Sequence, residues 1–274
     1  MEWREGWSVS AASGGGIARA AVLPGPPCPW CGGVGRREVE INGVWRVGKC
    51  RCQRVADRVA LFNAAGVPAR HADSTMESFR HDVPSPNHAV RPVRAWLDAF
   101  RPGQEGRGLV LWGPPGRGKT HLMVAAVREL VFRYGVAARF IEFTHLLSRI
   151  REGIDRNDGE ATTLTPLVNV PVLAVDELGK GRKTDWELAI IDEIITRRYN
   201  SGGILLATTN FPFRVPDARP RPASPPAAGG TLATGGLEPL AERLGDRVFS
   251  RLRETVNFAE AVGDDFRALR GMGR

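Results

Sequence analysis

The sequence lacks any long apolar run. Nowhere in its 274 residues does a hydrophobic stretch approach the roughly 20 residues that a membrane-spanning helix requires. The N-terminal stretch MEWREGWSVSAASGGGIARAAVLPG has acidic residues early and no apolar segment of signal-peptide length. A cytoplasmic protein with no membrane partner is therefore expected. Acidic residues are in deficit: 30 Asp and Glu stand against 38 Lys and Arg, a net charge of +8. That balance favours a polyanionic partner, most simply nucleic acid. Cysteine is scarce, and all 4 copies fall between positions 28 and 52. Clustering of that kind in a cytoplasmic chain points to metal rather than to a disulfide framework.

What is present centres on one stretch. Gly108-Leu109-Val110-Leu111-Trp112 reads as a short apolar strand, Gly113 to Gly118 as a glycine-rich loop, and Lys119-Thr120-His121-Leu122 as a helix start. Gly113, Gly118, Lys119 and Thr120 fit the phosphate-loop pattern G-x-x-x-x-G-K-[ST]. Glycines let such a loop curl until its backbone N–H groups point at phosphate oxygens. The helix that follows offers its positive N-terminal end to the same anion. The expected ligand is ATP, cradled by Gly113, Pro114, Pro115, Gly116, Arg117, Gly118, Lys119, Thr120 and His121. Lys119 would reach the β and γ phosphates, and the Thr120 hydroxyl would ligate Mg²⁺.

A second apolar strand, Pro171-Val172-Leu173-Ala174-Val175, delivers Asp176 and Glu177 at its C-terminal end. This is the Walker B arrangement. Asp176 is expected near Mg²⁺ and the nucleotide, with Glu177 placed to polarise the attacking water. A third buried strand, Ile204 to Thr209, ends in Asn210, which would face the γ phosphate from the neighbouring strand.

The cysteines form two pairs. Cys28-Pro29-Trp30-Cys31 precedes glycines that can turn amides towards sulfur, and Cys50-Arg51-Cys52 supplies the rest. Between them Arg37 to Val47 reads as a hairpin with Asn42-Gly43 at its turn. The hairpin folds the pairs together, and Cys28, Cys31, Cys50 and Cys52 can then hold Zn²⁺ tetrahedrally. Two disulfides or free thiols are the alternatives.

The remaining organisation follows in order. Residues 1–27 read as a mobile arm, in which Trp3 and Trp7 could dock a partner or cover part of the small domain. Residues 28–65 form the zinc-binding domain, closed by a helix from Arg54 to Ala64, and 66–268 form the nucleotide-binding domain. Further helices are expected from Asn87 to Phe100, from Leu122 onwards, from Thr144 to Glu152 with Thr144 as cap, from Thr184 to Asn200, and from Leu240 to Glu254. Strands are expected over Val136 to Phe143 and at Val256-Asn257-Phe258, and Gly153 to Thr165 reads as a loop or short helix. Residues 211–239, low in complexity from Arg214 to Gly236, read as a disordered insertion, and 269–274 as a tail.

Together these residues resemble the AAA+ ATPases of the DnaC/IstB type, bacterial helicase loaders and transposition helpers. The resemblance runs through Gly108 to Gly116, Lys119-Thr120-His121-Leu122, Asp176-Glu177-Leu178-Gly179, Arg198-Tyr199-Asn200 and Thr208-Thr209-Asn210. It continues through Leu244-Gly245-Asp246-Arg247-Val248 and Ser250-Arg251-Leu252, and it covers roughly 66–268. The cysteine knuckle resembles the N-terminal zinc-binding region of loaders in this group. The resemblance implies an α/β fold, an αβα sandwich around a parallel sheet in which the sensor 1 strand, ending at Asn210, separates the Walker A and Walker B strands. It implies an arginine, Arg251 or Arg247, that reaches the ATP of an adjacent protomer. It also implies that the α-helical lid of many AAA+ proteins is absent, and no sensor 2 arginine is assigned.

The function so implied is an ATP-dependent loader of the replicative hexameric DNA helicase onto single-stranded DNA. The zinc domain would hold the helicase, and ATP-driven self-assembly and hydrolysis would act as an assembly and release switch. One alternative is an IstB-like helper that directs a transposase to target DNA. Another is a nucleic-acid adaptor that binds ATP and hardly turns it over.

Overall fold

The computed structural model describes residues 6–12, 16–50, 52–79, 89–103, 106–156, 159–213 and 238–271. Trp3, Arg51, the start of the helix expected from Asn87, the low-complexity stretch 214–236 and the last residues of the tail lie outside the described residues.

Five strands make the central sheet: β5 (Gly108–Trp112), β6 (Ala138–Glu142), β7 (Val172–Asp176), β8 (Ile204–Thr209) and β9 (Val256–Glu260). Their order is β6-β7-β8-β5-β9, and every pairing is parallel. Continuous apolar runs in β5, β7 and β8 fit strands covered on both faces. Alternation along them sorts the side chains into two cores. Leu109, Leu111, Val172, Ala174, Ile204 and Leu206 face one core, and Val110, Leu173, Val175, Leu205 and Ala207 face the other. The first core is closed by α1 (Gln53–Ala65), α2 (Val90–Ala99) and α3 (Lys119–Phe132). The second is closed by α4 (Phe143–Asp155), α5 (Glu160–Val168), α6 (Asp185–Ser201), α7 (Leu240–Leu244) and α8 (Asp246–Thr255). This is the αβα sandwich expected. As expected too, β8 lies between β5 and β7.

Local signals explain the element ends. Thr184 and Glu187 form a reciprocal capping box at the start of α6, and Gly202 ends it in the left-handed region. Gly66 ends α1 in the same way. Pro92 sits in the first turn of α2, where its missing N–H leaves no gap. The helix α4 starts at Phe143, so Thr144 is not its cap; the Thr144 hydroxyl donates to Glu142 Oε1 at 2.9 Å. The single helix expected from Leu240 to Glu254 is two, because Gly245 adopts φ 82° and ψ 151°, a conformation that only glycine takes readily.

The N-terminal third differs most from expectation. The arm expected over residues 1–27 is, over its described part, an antiparallel hairpin of β1 (Trp7–Ala11) and β2 (Ala18–Val22). Ala18 N–H donates to Val67 O at 2.7 Å, and Ala20 exchanges hydrogen bonds with the Asn63 side chain. Trp7 stacks on Phe132 at 4.5 Å between ring centroids. It therefore covers the C-terminal end of α3. The second hairpin, β3 (Arg36–Ile41) with β4 (Val44–Lys49), forms where expected. Asn42 and Gly43 take φ 52° and 76°, as the tight turn between two twisted strands demands. The boundary expected at 65/66 separates no cores: Val59, Phe62 and Ala65 of α1 are buried in the same core as α3.

Candidate functional site

The site is assembled where the C-terminal ends of β5, β7 and β8 meet the start of α3. The loop after β5 passes so close to its surroundings that side chains are excluded. A Cβ at Gly113 would lie 2.7 Å from Ala261 O, and one at Gly118 would lie 2.6 Å from the Phe79 ring. Both residues also have positive φ, 136° and 74°. A cavity of 640 Å³ opens beside this loop. Among its walls are Pro115, Gly116, Arg117, Gly118, Lys119, Thr120 and His121, with Asp176, Glu177, Thr208 and Asn210 opposite.

Lys119 is almost fully buried. Its Nζ donates to Gly113 O and Pro114 O, both at 2.7 Å. Burial lowers its pKa to about 8, an effect that nearby Asp176 opposes. Asp176 is buried as well. Burial raises its pKa, against hydrogen bonds from Thr208 and Thr120. Thr120 Oγ1 donates to Asp176 Oδ1 at 2.9 Å, and Thr208 Oγ1 donates to the same oxygen at 2.5 Å. The Thr120 hydroxyl and the Asp176 carboxylate are thus already adjacent, as a hard divalent cation bound beside phosphates would require. These oxygen donors fit Mg²⁺.

Thr208 was not among the residues singled out for the site. Besides bonding Asp176, its hydroxyl accepts the Glu177 N–H at 3.0 Å. One side chain on β8 thereby aligns both carboxylates of β7. Its signal in the sequence is its place in the Thr208-Thr209-Asn210 run at the end of an apolar strand. Arg267 was also missed. It lines the cavity because α9 (Phe266–Gly271) docks on the loop, with Phe266 N–H donating to Gly116 O at 3.1 Å. The far wall is the segment around Arg70, His71, Ser74, Ser78 and Phe79. There His121 Nε2 lies 2.8 Å from Thr75 O, and Phe79 meets the His121 ring edge-on. Burial, helped by neighbouring Arg70 and His121, lowers the pKa of His71 to about 4.

Arg247 and Arg251 do not line this cavity. Both lie on α8 and pair with Asp192 of α6, and Arg251 also donates to Thr196. They stand apart from the phosphate loop of their own chain.

The four cysteines converge. Their sulfurs all lie within 4.8 Å of one another, with Cys28–Cys50 at 3.7 Å and Cys31–Cys52 at 3.6 Å. Four thiolates about 2.3 Å from a zinc ion would be about 3.8 Å apart, so the set fits Zn²⁺. Gly35 N–H donates to Cys31 Sγ at 3.2 Å. Desolvation opposes ionisation of Cys31, but amide and thiol hydrogen bonds outweigh it and lower its pKa to about 7. Desolvation and the neighbouring thiols push Cys52 up. Metal binding requires the thiolate forms, which a bound cation favours.

Fold and site together define a P-loop ATP-binding protein of the DnaC/IstB type within the AAA+ group. The chain belongs to the family of IstB-like ATP-binding proteins, which it matches over residues 54–218. It is 28% identical over 196 residues to the replicative helicase loader DnaC of Escherichia coli (strain K12), covering 70% of this chain and 68% of that one. The crystal structure of the DnaC helicase loader aligns with a TM-score of 0.56 at 28% identity, over 70% of this chain and 99% of that chain. A putative insertion sequence ATP-binding protein of Sinorhizobium fredii (strain NBRC 101917 / NGR234) is 30% identical over 141 residues, covering 51% of this chain and 45% of that one.

Proposed function

We propose that this protein is an ATP-dependent loader of the replicative DNA helicase onto single-stranded DNA. The observation that carries this reading is the extent of the likeness to DnaC, 28% identity over 196 residues, together with the phosphate loop and both Walker carboxylates that the family match over residues 54–218 takes in. In the proposed cycle Lys119 leaves the Gly113 and Pro114 carbonyls for the β and γ phosphates of ATP. Thr120 and Asp176 hold Mg²⁺, which when bound neutralises charge on the phosphate oxygens. Glu177 orients a water and accepts its proton. The water oxygen bonds to the γ phosphorus as the bond to the β–γ bridging oxygen breaks, giving ADP and phosphate. Asn210 monitors the γ phosphate, and Arg267 offers a cation to it from the same chain. Arg251 or Arg247 exchanges Asp192 for the nucleotide of an adjacent protomer, so that ATP cements self-assembly.

The cysteine module, holding Zn²⁺ through Cys28, Cys31, Cys50 and Cys52, would engage the helicase. A second cavity, of 850 Å³, is lined by Arg70, Arg139, His145, Arg149 and Arg156, with Glu142 the one acidic wall among the described residues. That charge suits the backbone of single-stranded DNA.

The test is co-elution of the protein with the replicative helicase of its own organism, with ATP present and absent. A complex that is lost on Cys28→Ser and separates after hydrolysis is expected. No complex under any nucleotide condition would overturn the reading. It would favour the second one, delivery of a transposase to target DNA, which the family match supports.

A further inference from the structure

Glu177 is held by contacts that the proposed cycle does not use. Its φ is +57°, in the left-handed region that residues with side chains rarely adopt. Its carboxylate is gripped by Lys180 Nζ, three residues on. A tight turn brings the two together: Lys180 N–H donates to Glu177 O at 2.9 Å. The start of the turn is pinned to β8. Glu177 N–H donates to Thr208 Oγ1, Leu178 N–H to Thr208 O at 2.7 Å, and Thr209 Oγ1 to Leu178 O at 2.9 Å.

The rest of the turn is pinned to α7. Arg243 Nε donates to Gly179 O at 2.8 Å, and Arg243 Nη2 donates to Gly181 O. The peptide carbonyls on either side of Lys180 are therefore fixed by one guanidinium. That guanidinium stands on the helix immediately before α8, which carries Arg247 and Arg251. The position of Lys180 is thus tied to α7, the helix that precedes the one carrying Arg247 and Arg251.

The ammonium takes up Glu177 Oε2, one of the two carboxylate oxygens, and so ties the orientation of the carboxylate to Lys180. The pair is also partly exposed, with side-chain accessibilities of 28% for Glu177 and 54% for Lys180. Ion pairs this exposed are weak and exchange readily. Weakness suits a catch that must open in every cycle.

We propose that Lys180 is a latch, a positioning residue that keeps Glu177 off the attacking water until α7 and α8 are engaged from outside. It holds basal ATP turnover low in the isolated chain. The inference rests on reading the cavity as an ATPase site, and its test separates the two.

The experiment is steady-state ATP hydrolysis by the full chain, with ATP affinity measured by calorimetry. Lys180→Met is expected to raise kcat roughly three- to tenfold, as loss of an exposed ion pair would, while KM and ATP affinity stay about the same. Lys180→Arg restores a cation and should return kcat most of the way to the wild-type value. An unchanged or lower kcat in Lys180→Met overturns the latch, and so does a rise that Lys180→Arg shares in full. Glu177→Gln is made in both the wild-type and Lys180→Met backgrounds. If it abolishes turnover while Lys180→Met changes nothing, the ATPase reading stands and the latch alone falls. If the wild type neither binds nor hydrolyses ATP, both fall.

Discussion

At the scale of single residues, the site sets two buried charges against each other. Lys119 and Asp176 are both held in low dielectric, and each is pushed towards its neutral form by burial. In the nucleotide-free protein this is a cost to stability. An unfolded Lys119 holds its proton up to its ordinary value of 10.5, and the folded one only to about 8. Between those values the unfolded state binds more protons, so stability rises with pH across that window. Replacing Lys119 with Met removes the buried charge. We expect the variant to lose ATP binding yet, without nucleotide at pH 7, to be more stable by about 1–3 kcal/mol. Urea unfolding at pH 7 and pH 10 checks this, and the gap between variant and wild type should narrow at the higher pH.

At the scale of elements, legibility tracked how much of an element's fate was local. The strands β5, β7 and β8 were readable because a parallel strand buried on both faces has to be apolar throughout, and each ends in residues with distinctive chemistry. Hairpin β3–β4 was readable because Asn42-Gly43 has few other uses. Strands β1 and β2 were not, because Trp-Ser-Val-Ser-Ala and Ala-Arg-Ala-Ala-Val carry only short alternation. They owe their order to Asn63 and Val67, distant in sequence. The break at Gly245 was hidden inside a good helical pattern. The roles of Thr208 and Arg267 arise only when β8 and α9 arrive beside β7 and the loop. Among the elements, α1 ties the N-terminal part to the sandwich. Its Phe62 is fully buried and stacks against Phe132 of α3 at 5.2 Å between centroids. Phe62→Ala should destabilise the protein by about 3–5 kcal/mol. Thermal unfolding should show one transition shifted for the whole chain rather than loss of the N-terminal part alone, because α1 and α3 share a core.

At the scale of the molecule, the cysteine module is small and its hairpin is largely exposed, with Trp45 and Val47 open to solvent. A surface of that size needs a staple. We expect about one zinc per chain by metal analysis, lost on Cys28→Ser, with the hairpin lost and the sandwich retained. A metal-free wild type would sink the site. The module is joined to the sandwich directly: Cys52 occupies the N-cap position of α1, with no side-chain capping bond, so the thiol cluster sits at that helix's N-terminus.

That join has a mechanical consequence. From Cys52 the chain runs through α1, whose Phe62 bears on Phe132 at the C-terminal end of α3, where Trp7 bears on it too. The opposite end of α3 is Lys119 and Thr120, in the phosphate cradle. The 14 residues of α3 make a beam about 21 Å long. A load hung on the cysteine hairpin is thus carried by the far end of the same beam whose near end holds the nucleotide.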